Sequence, residues 1–503
     1  MKGLILIALS AIAAFAFQGV YTEIPKTWDI GAIEESHLPP PDPSVEVQYA
    51  PEEYYNSLPE HVIYKTYLRY AEGYQPEGYL DSLHSLEPEI VFDVNKIKTQ
   101  QDWIEAGKEV FFWPVSGTAK VDPQYRGIEN TYLVESGDPI TAEGVYPFSR
   151  YLIQEKGKVL RGTLSCATCH TRVMSDGSTV IGAQGNTAFD PGFAVGIVEK
   201  FKVPKENLDP GMYSLISTPW APEVKQRVTS RTRDEFVADL MASPNGVMVR
   251  QGVGFLPVSV PSLIGIKDIK YLDKTGLMIH EGPEDLMRYA ALNQGMDMLT
   301  SYNGFIPLGT DEFTQLPTPN EWNHPFGYAG KRYSDEQLYA LAQYIYSLTP
   351  PENPNIAAPE LLAKGERIFI EQGCVTCHTP PIYTNNMLTP VDGFTPPESH
   401  FEKYDIFDIS VETDTDLSLK ARRGTGYYKI PSLRGVWYRQ NFFHNGELAT
   451  LEDIFDPARL KDDYVPTGYK LSTVTSKSVP GHDFGMELND GDKSALISFL
   501  KSL

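Results

Sequence analysis

Cysteine is rare in this chain, four among 503 residues, too few for the disulfide framework that holds small secreted scaffolds together. Basic residues are short as well: 43 Lys and Arg stand against 66 Asp and Glu, a formal net charge of -23. Nucleic-acid binders need a basic stripe, so that class is excluded. Such acidity fits a self-repelling protein with neutral or basic partners. Long apolar runs are also missing. The one apolar stretch, Leu4 to Phe17 behind Met1-Lys2-Gly3, falls short of the roughly 20 residues a membrane-spanning helix needs. With Ala14-Phe15-Ala16 near its end, it reads as a secretory signal peptide over residues 1–16. No Cys follows it for lipidation and no later stretch is apolar enough to cross a bilayer. The expectation is a periplasmic or secreted protein with no membrane span in the mature chain.

What is present is more specific. The four cysteines stand in Cys166-Ala167-Thr168-Cys169-His170 and Cys374-Val375-Thr376-Cys377-His378. C-x-x-C-H is the attachment pattern of c-type haem. The two thiols form thioethers with the haem vinyl groups, and the adjacent His offers an imidazole to the iron. Zinc is the competing reading, but zinc ribbons usually hold their halves about 15–20 residues apart, and these halves are far apart. A thioredoxin-like pair has no use for a trailing His in both places. We therefore expect two covalently attached haems, with His170 and His378 as axial ligands.

Composition allows a real core, with 41% hydrophobic and 12% aromatic residues, while 39 Pro and 40 Gly imply much irregular chain. Residues 17–95 read as an N-terminal extension. It opens with a Pro-rich tether, Pro39-Pro40-Pro41-Asp42-Pro43, and continues with a helix from about Leu58 to Glu72 behind a capping box at Ser57-Leu58-Pro59-Glu60. Beyond it the chain repeats itself. Trp103-Ile104-x-Ala106-Gly107-x-x-Val110-Phe111-Phe112 has the apolar spacing of an amphipathic helix, echoed by Leu362-x-x-Gly365-x-x-Ile368-Phe369-Ile370. Pro261-Ser262-Leu263-Ile264-Gly265 is echoed by Pro431-Ser432-Leu433-Arg434-Gly435, each with a turn glycine further on, Gly276 and Gly446. Each copy ends in a helix, from Asp335 and from Asp490, and Ser334 with Gln337 forms a capping box for the first. The fold class implied is mainly α. It comprises two cytochrome c-like (class I) haem domains related by duplication, 96–350 and 356–503, with long irregular loops. The first carries an insertion over residues 113–162, and a Pro-rich linker joins the two.

Function turns on the second axial position, because a filled coordination sphere favours electron transfer and an open one permits chemistry on a small ligand. Just before each final helix stands the same phrase, His324-Pro325-Phe326-Gly327 and His482-Asp483-Phe484-Gly485. His324 and His482 are the candidates to complete the first and second iron. Met486 and Met387 compete with His482. His280, Met174, Met296 and Met298 compete with His324. His444, Arg434 and the pair Arg422-Arg423 are candidates for tuning a haem or holding its propionates, since Arg pairs bidentately with carboxylates. Asn293, Gln294 and the Gln184-Gly185-Asn186 loop are candidates for a distal pocket.

The stretches Gly373 to Pro381, Lys429 to Val436 and His444 to Ile454 resemble the bacterial di-haem cytochrome c peroxidase superfamily. The phrase Gly481-His482-Asp483-Phe484-Gly485 is most similar to its rubber-oxygenase branch, where the matching His is the distal ligand of the C-terminal haem. The likeness is dense from about residue 360 onward and sparse over 100–350. Three departures stand against the peroxidase mechanism. Asn186 occupies the place of a labile His, Asp273-Lys274-Thr275-Gly276 replaces a W-D-G turn, and Ala458 stands where a Met or Tyr ligand is placed. A Ca²⁺ between the domains is known in those peroxidases, and no dense carboxylate cluster in this sequence assigns one. The reading is one-electron transfer between redox partners through two haems. The alternative is a peroxidase or oxygenase with an open first haem activating peroxide or O₂, and the second haem relaying electrons.

Overall fold

The computed structural model describes residues 23–120, 137–199, 218–249, 256–307 and 330–503. It is helix-rich, with small sheets and long irregular stretches between them. Two helix pairs carry the two largest cores. Gln100–Phe112 packs on Asp335–Ser347, and Pro359–Glu371 packs on Asp490–Lys501.

Local sequence explains each start. Thr99 and Asp102 cap one another, as do Ser334 and Gln337, and the Asn489 side chain accepts the Asp492 N–H. Pro359 sits at the first turn of its helix, where a missing N–H costs nothing. Both pairs close in the same way. A Cβ on Gly107 would lie 1.9 Å from the Ala340 carbonyl oxygen, and one on Gly365 would lie 2.1 Å from that of Ala495. Only glycine allows backbones that near. Val110, Phe111, Leu338 and Leu341 fill the first core; Ile368, Phe369, Leu496 and Phe499 fill the second.

The N-terminal region departs from the expected helix. Trp28, Ile33, Tyr55 and Ile63 are buried in the first core, with Trp28 stacked on Tyr55 at 4.9 Å and donating to the Ala50 carbonyl. The segment is thus part of that core. The helix expected over Leu58 to Glu72 is absent. A short helix, Glu52–Ser57, ends before it, and Thr66–Tyr70 is a strand antiparallel to Val145–Glu155. The spacing of Tyr64, Tyr67 and Tyr70 suits a helix face, but the β-branched and aromatic run Thr66-Tyr67-Leu68-Arg69-Tyr70 suits a pleat better. Arg69 is buried, donating to the Ser149 hydroxyl at 3.1 Å, while its neighbour Leu68 faces out. The sheet runs Thr66–Tyr70, Val145–Glu155, Lys158–Thr163, Ser116–Lys120, so three of its four strands come from the 113–162 insertion.

A second parallel lies nearer the haem motifs. Val247–Val249 pairs with Pro257–Ser259, and Leu388–Pro390 pairs with Tyr427–Lys429. Each ribbon leads directly into a Pro-Ser-Leu phrase. The two halves also clasp one another. The Lys429 N–H donates to the Lys274 carbonyl at 3.0 Å, and the Ser259 N–H donates to the His444 carbonyl at 2.8 Å. Each ribbon thereby holds the other half's turn.

Candidate functional site

The two Cys-x-x-Cys-His phrases fold as single turns, Cys166–Cys169 and Cys374–Thr376. Both histidines are then fixed by the same backbone partner. His170 Nδ1 lies 3.0 Å from the Pro261 carbonyl oxygen, and His378 Nδ1 lies 3.1 Å from that of Pro431. A carbonyl can only accept, so Nδ1 carries the proton in each ring and Nε2 presents its lone pair. This is how a protein orients a metal-binding imidazole. Around the first motif, the Gly182 N–H donates to the His170 carbonyl and the Gly185 N–H to the Cys169 carbonyl. The loop over 182–186 therefore serves as the motif's backbone support.

None of the four cysteines is paired in a disulfide. Burial pushes Cys166 up to about 12 and Cys374 up to about 11, and raises Cys377 as well. Thiols held neutral in this way are unsuited to act as thiolate nucleophiles. Among the described residues, no three His, Cys, Asp or Glu side chains gather as a metal site.

His482 stands opposite His378, their ring centroids 6.4 Å apart and their planes at 59°. An imidazole nitrogen binds a first-row metal at about 2 Å and the ring centroid lies about 1.1 Å beyond it, so two axial imidazoles on one iron stand roughly 6.3 Å apart. The gap fits an iron. The His482 ring is flanked by Phe484 at 5.3 Å and Phe443 at 6.1 Å. Its buried Nδ1 has no hydrogen-bond partner on another residue among those described. Burial holds both imidazoles neutral, His378 and His482 each lowered to about 4, and His378 and Arg459 add to the effect on His482. Neutral imidazole is the ligating form. The backbone of His482 is left-handed, φ 55°, directly after Gly481 at φ 82°.

His324 lies outside the described residues. Of its competitors, His280 is spoken for at both nitrogens, Nδ1 by the Ile269 carbonyl at 2.7 Å and Nε2 by the Tyr346 hydroxyl at 2.6 Å. Met296 and Met298 are buried, the former in the first core, and Met174 packs beside Val180, Ala183 and Tyr438. Sequence reasoning missed Met248, whose sulfur lies 3.8 Å from Cys169 Sγ. Its place on the ribbon before Pro261 was the available signal.

The other candidates have different work. His444 is buried and stacks on Tyr428 at 4.1 Å, its Nε2 lying 3.0 Å from the Tyr428 hydroxyl and 3.7 Å from Asp414. Arg434 reaches across to the other half, to Asp268 at 2.9 Å and the Gly265 carbonyl at 3.2 Å. Arg422 and Arg423 are buried and face Asp297. Asn293 accepts from Arg423 at 2.7 Å, and Gln294 closes the helix Pro283–Asn293 through its backbone. These arginines and Asn293 join the halves. Asn186 is tied through both side-chain atoms to the Val173 backbone.

No family model matches the chain, and no curated protein matches it in sequence. Among solved structures it is similar to hydrazine synthase of Kuenenia stuttgartiensis, with 15% identity, a TM-score of 0.29, and coverage of 58% of this chain and 86% of the other. It is also similar to a MauG-like protein associated with microbial copper homeostasis, with 17% identity, a TM-score of 0.30, and coverage of 52% and 78%.

Proposed function

We propose that this chain is a di-haem c-type redox protein that passes single electrons between partners, exported from the cytoplasm by residues 1–16. The observation that carries the reading is the facing pair His378 and His482, 6.4 Å apart. Haem bound there supplies a one-electron Fe(III)/Fe(II) couple. The chain's own residues do the rest. Cys374 and Cys377 would tether the group, the Pro431 carbonyl keeps the His378 lone pair outward, and Phe443 with Phe484 frame the His482 ring. Cys166, Cys169 and His170 would hold the first haem in the same manner, with His324 as its second ligand. The matched ribbons, helix pairs and Pro-Ser-Leu carbonyls support an internal duplication of a cytochrome c-like unit. The family reading is the di-haem peroxidase superfamily, on its rubber-oxygenase side, without the peroxidase's labile ligand.

A net charge of -23 favours a neutral or basic partner docking from solution. The experiment mixes the reduced protein with peroxide or O₂, and separately with CO. Absent turnover and slow CO binding are expected, and His324→Gly should create a high-spin first haem with fast CO binding. Rapid turnover by the unmodified protein would favour the oxygenase or peroxidase instead.

A further inference from the structure

Behind the loop that carries His482 stands a guanidinium with no exposed surface. Arg459 belongs to the one-turn helix Pro457–Leu460. Its Nε donates to the Ile454 carbonyl at 3.1 Å and its Nη1 to that of Val479. Its Nη2 donates to the carbonyls of Gly481 and His482, at 2.7 and 3.0 Å. The Val479 N–H returns a bond to the Arg459 carbonyl at 2.6 Å. The nearby carboxylate is Asp483, 3.9 Å away and more than half exposed. The guanidinium also lies over the Phe443 ring, 5.3 Å from its centroid.

A buried charge is costly unless its donors are hydrogen-bonded, and here four backbone carbonyls take four of the five N–H groups. Three of the four belong to residues 479–482. That short run includes the left-handed pair Gly481 and His482, and a residue other than glycine adopts that conformation only against steric resistance. The opposite side of the turn is held too. The His482 N–H donates to the Val411 carbonyl at 2.7 Å, and Gly481 lies too close to 411–413 for a side chain. A residue needed only for volume would not bring a charge into this space.

We propose that Arg459 is a positioning residue for the distal ligand: it gathers the Val479, Gly481 and His482 carbonyls and thereby holds the His482 imidazole aimed at His378. The inference rests on reading His482 as an axial ligand. The test compares Arg459→Gln, Arg459→Lys and His482→Gly with the unmodified, haem-loaded full chain, by ferric EPR and cyanide binding. Arg459→Gln should show a high-spin fraction at the second haem. Cyanide should bind roughly tenfold faster or more, the equivalent of losing one hydrogen bond to a charged group, and added imidazole should restore the low-spin signal. Unchanged spectrum and cyanide rate would overturn the proposal. If Arg459→Gln does not accumulate folded, Arg459→Lys is judged by the same criterion, because one ammonium cannot span the carbonyls that three guanidinium nitrogens reach. His482→Gly separates the layers. If it opens the iron and the Arg459 variants do not, the clamp alone fails; if it changes nothing, the ligand reading falls and takes the clamp with it.

Discussion

At the scale of single residues, two histidines that look alike in composition have opposite surroundings. His482 is framed by two phenylalanines and faces His378, with a buried Nδ1 that no other described residue satisfies. His444 has its Nε2 beside the Tyr428 hydroxyl and Asp414. Replacing each should therefore give different spectra. His482→Gly should turn the second haem high-spin, reversibly with free imidazole, while His444→Ala should leave the spin state as it was; a high-spin species in His444→Ala would make His444 a ligand. Much of this was legible in the sequence. The haem motifs are contiguous, and His482 opens the same His-x-Phe-Gly phrase as His324. Arg459 was not legible, because its partners are backbone carbonyls, which every residue carries and no sequence pattern marks.

At the scale of elements, the helix pairs are where sequence and structure agree most closely. Apolar spacing, caps and a central glycine specify both. Gly365→Ala should cost about 1–3 kcal/mol by overpacking against the Ala495 carbonyl, read as a lower melting temperature of the haem-loaded protein; an unchanged melt would mean the pair can part without loss. The misread element is the strand Thr66–Tyr70. A tyrosine every third residue satisfies a helix, yet the strand depends on Val145–Glu155 beside it, a partner some eighty residues away. Long-range pairing of this kind overrides local spacing.

At the scale of the molecule, the halves are joined by reciprocal backbone bonds and by buried ions, Arg422 with Asp297 at 2.9 Å among them. The N-terminal segment is pinned into the first half near this junction and contributes two histidines whose titration is strongly shifted. His37 and His61 are lowered from 6.5 to about 3, chiefly by burial, with Arg423 adding to the effect on His37 and Lys331 to that on His61. Both are neutral when folded and must take a proton on unfolding in acid. Between pH 3 and 6.5 the unfolded chain therefore binds more protons, so stability is fully present above 6.5 and falls as pH drops toward 3. Denaturant melts across that window should show this slope, and His37→Gln with His61→Gln should flatten it; an unaltered slope would place the acid sensitivity elsewhere. None of this interlock was visible in the repeated phrases, because echoes in sequence carry no information on how one segment holds another.

If His378 and His482 hold the second iron between two imidazoles, low-temperature EPR of the resting ferric protein should show low-spin signals from both haems, the second with bis-imidazole character. A resting high-spin signal assigned to the haem at Cys374 and Cys377 would rule that coordination out.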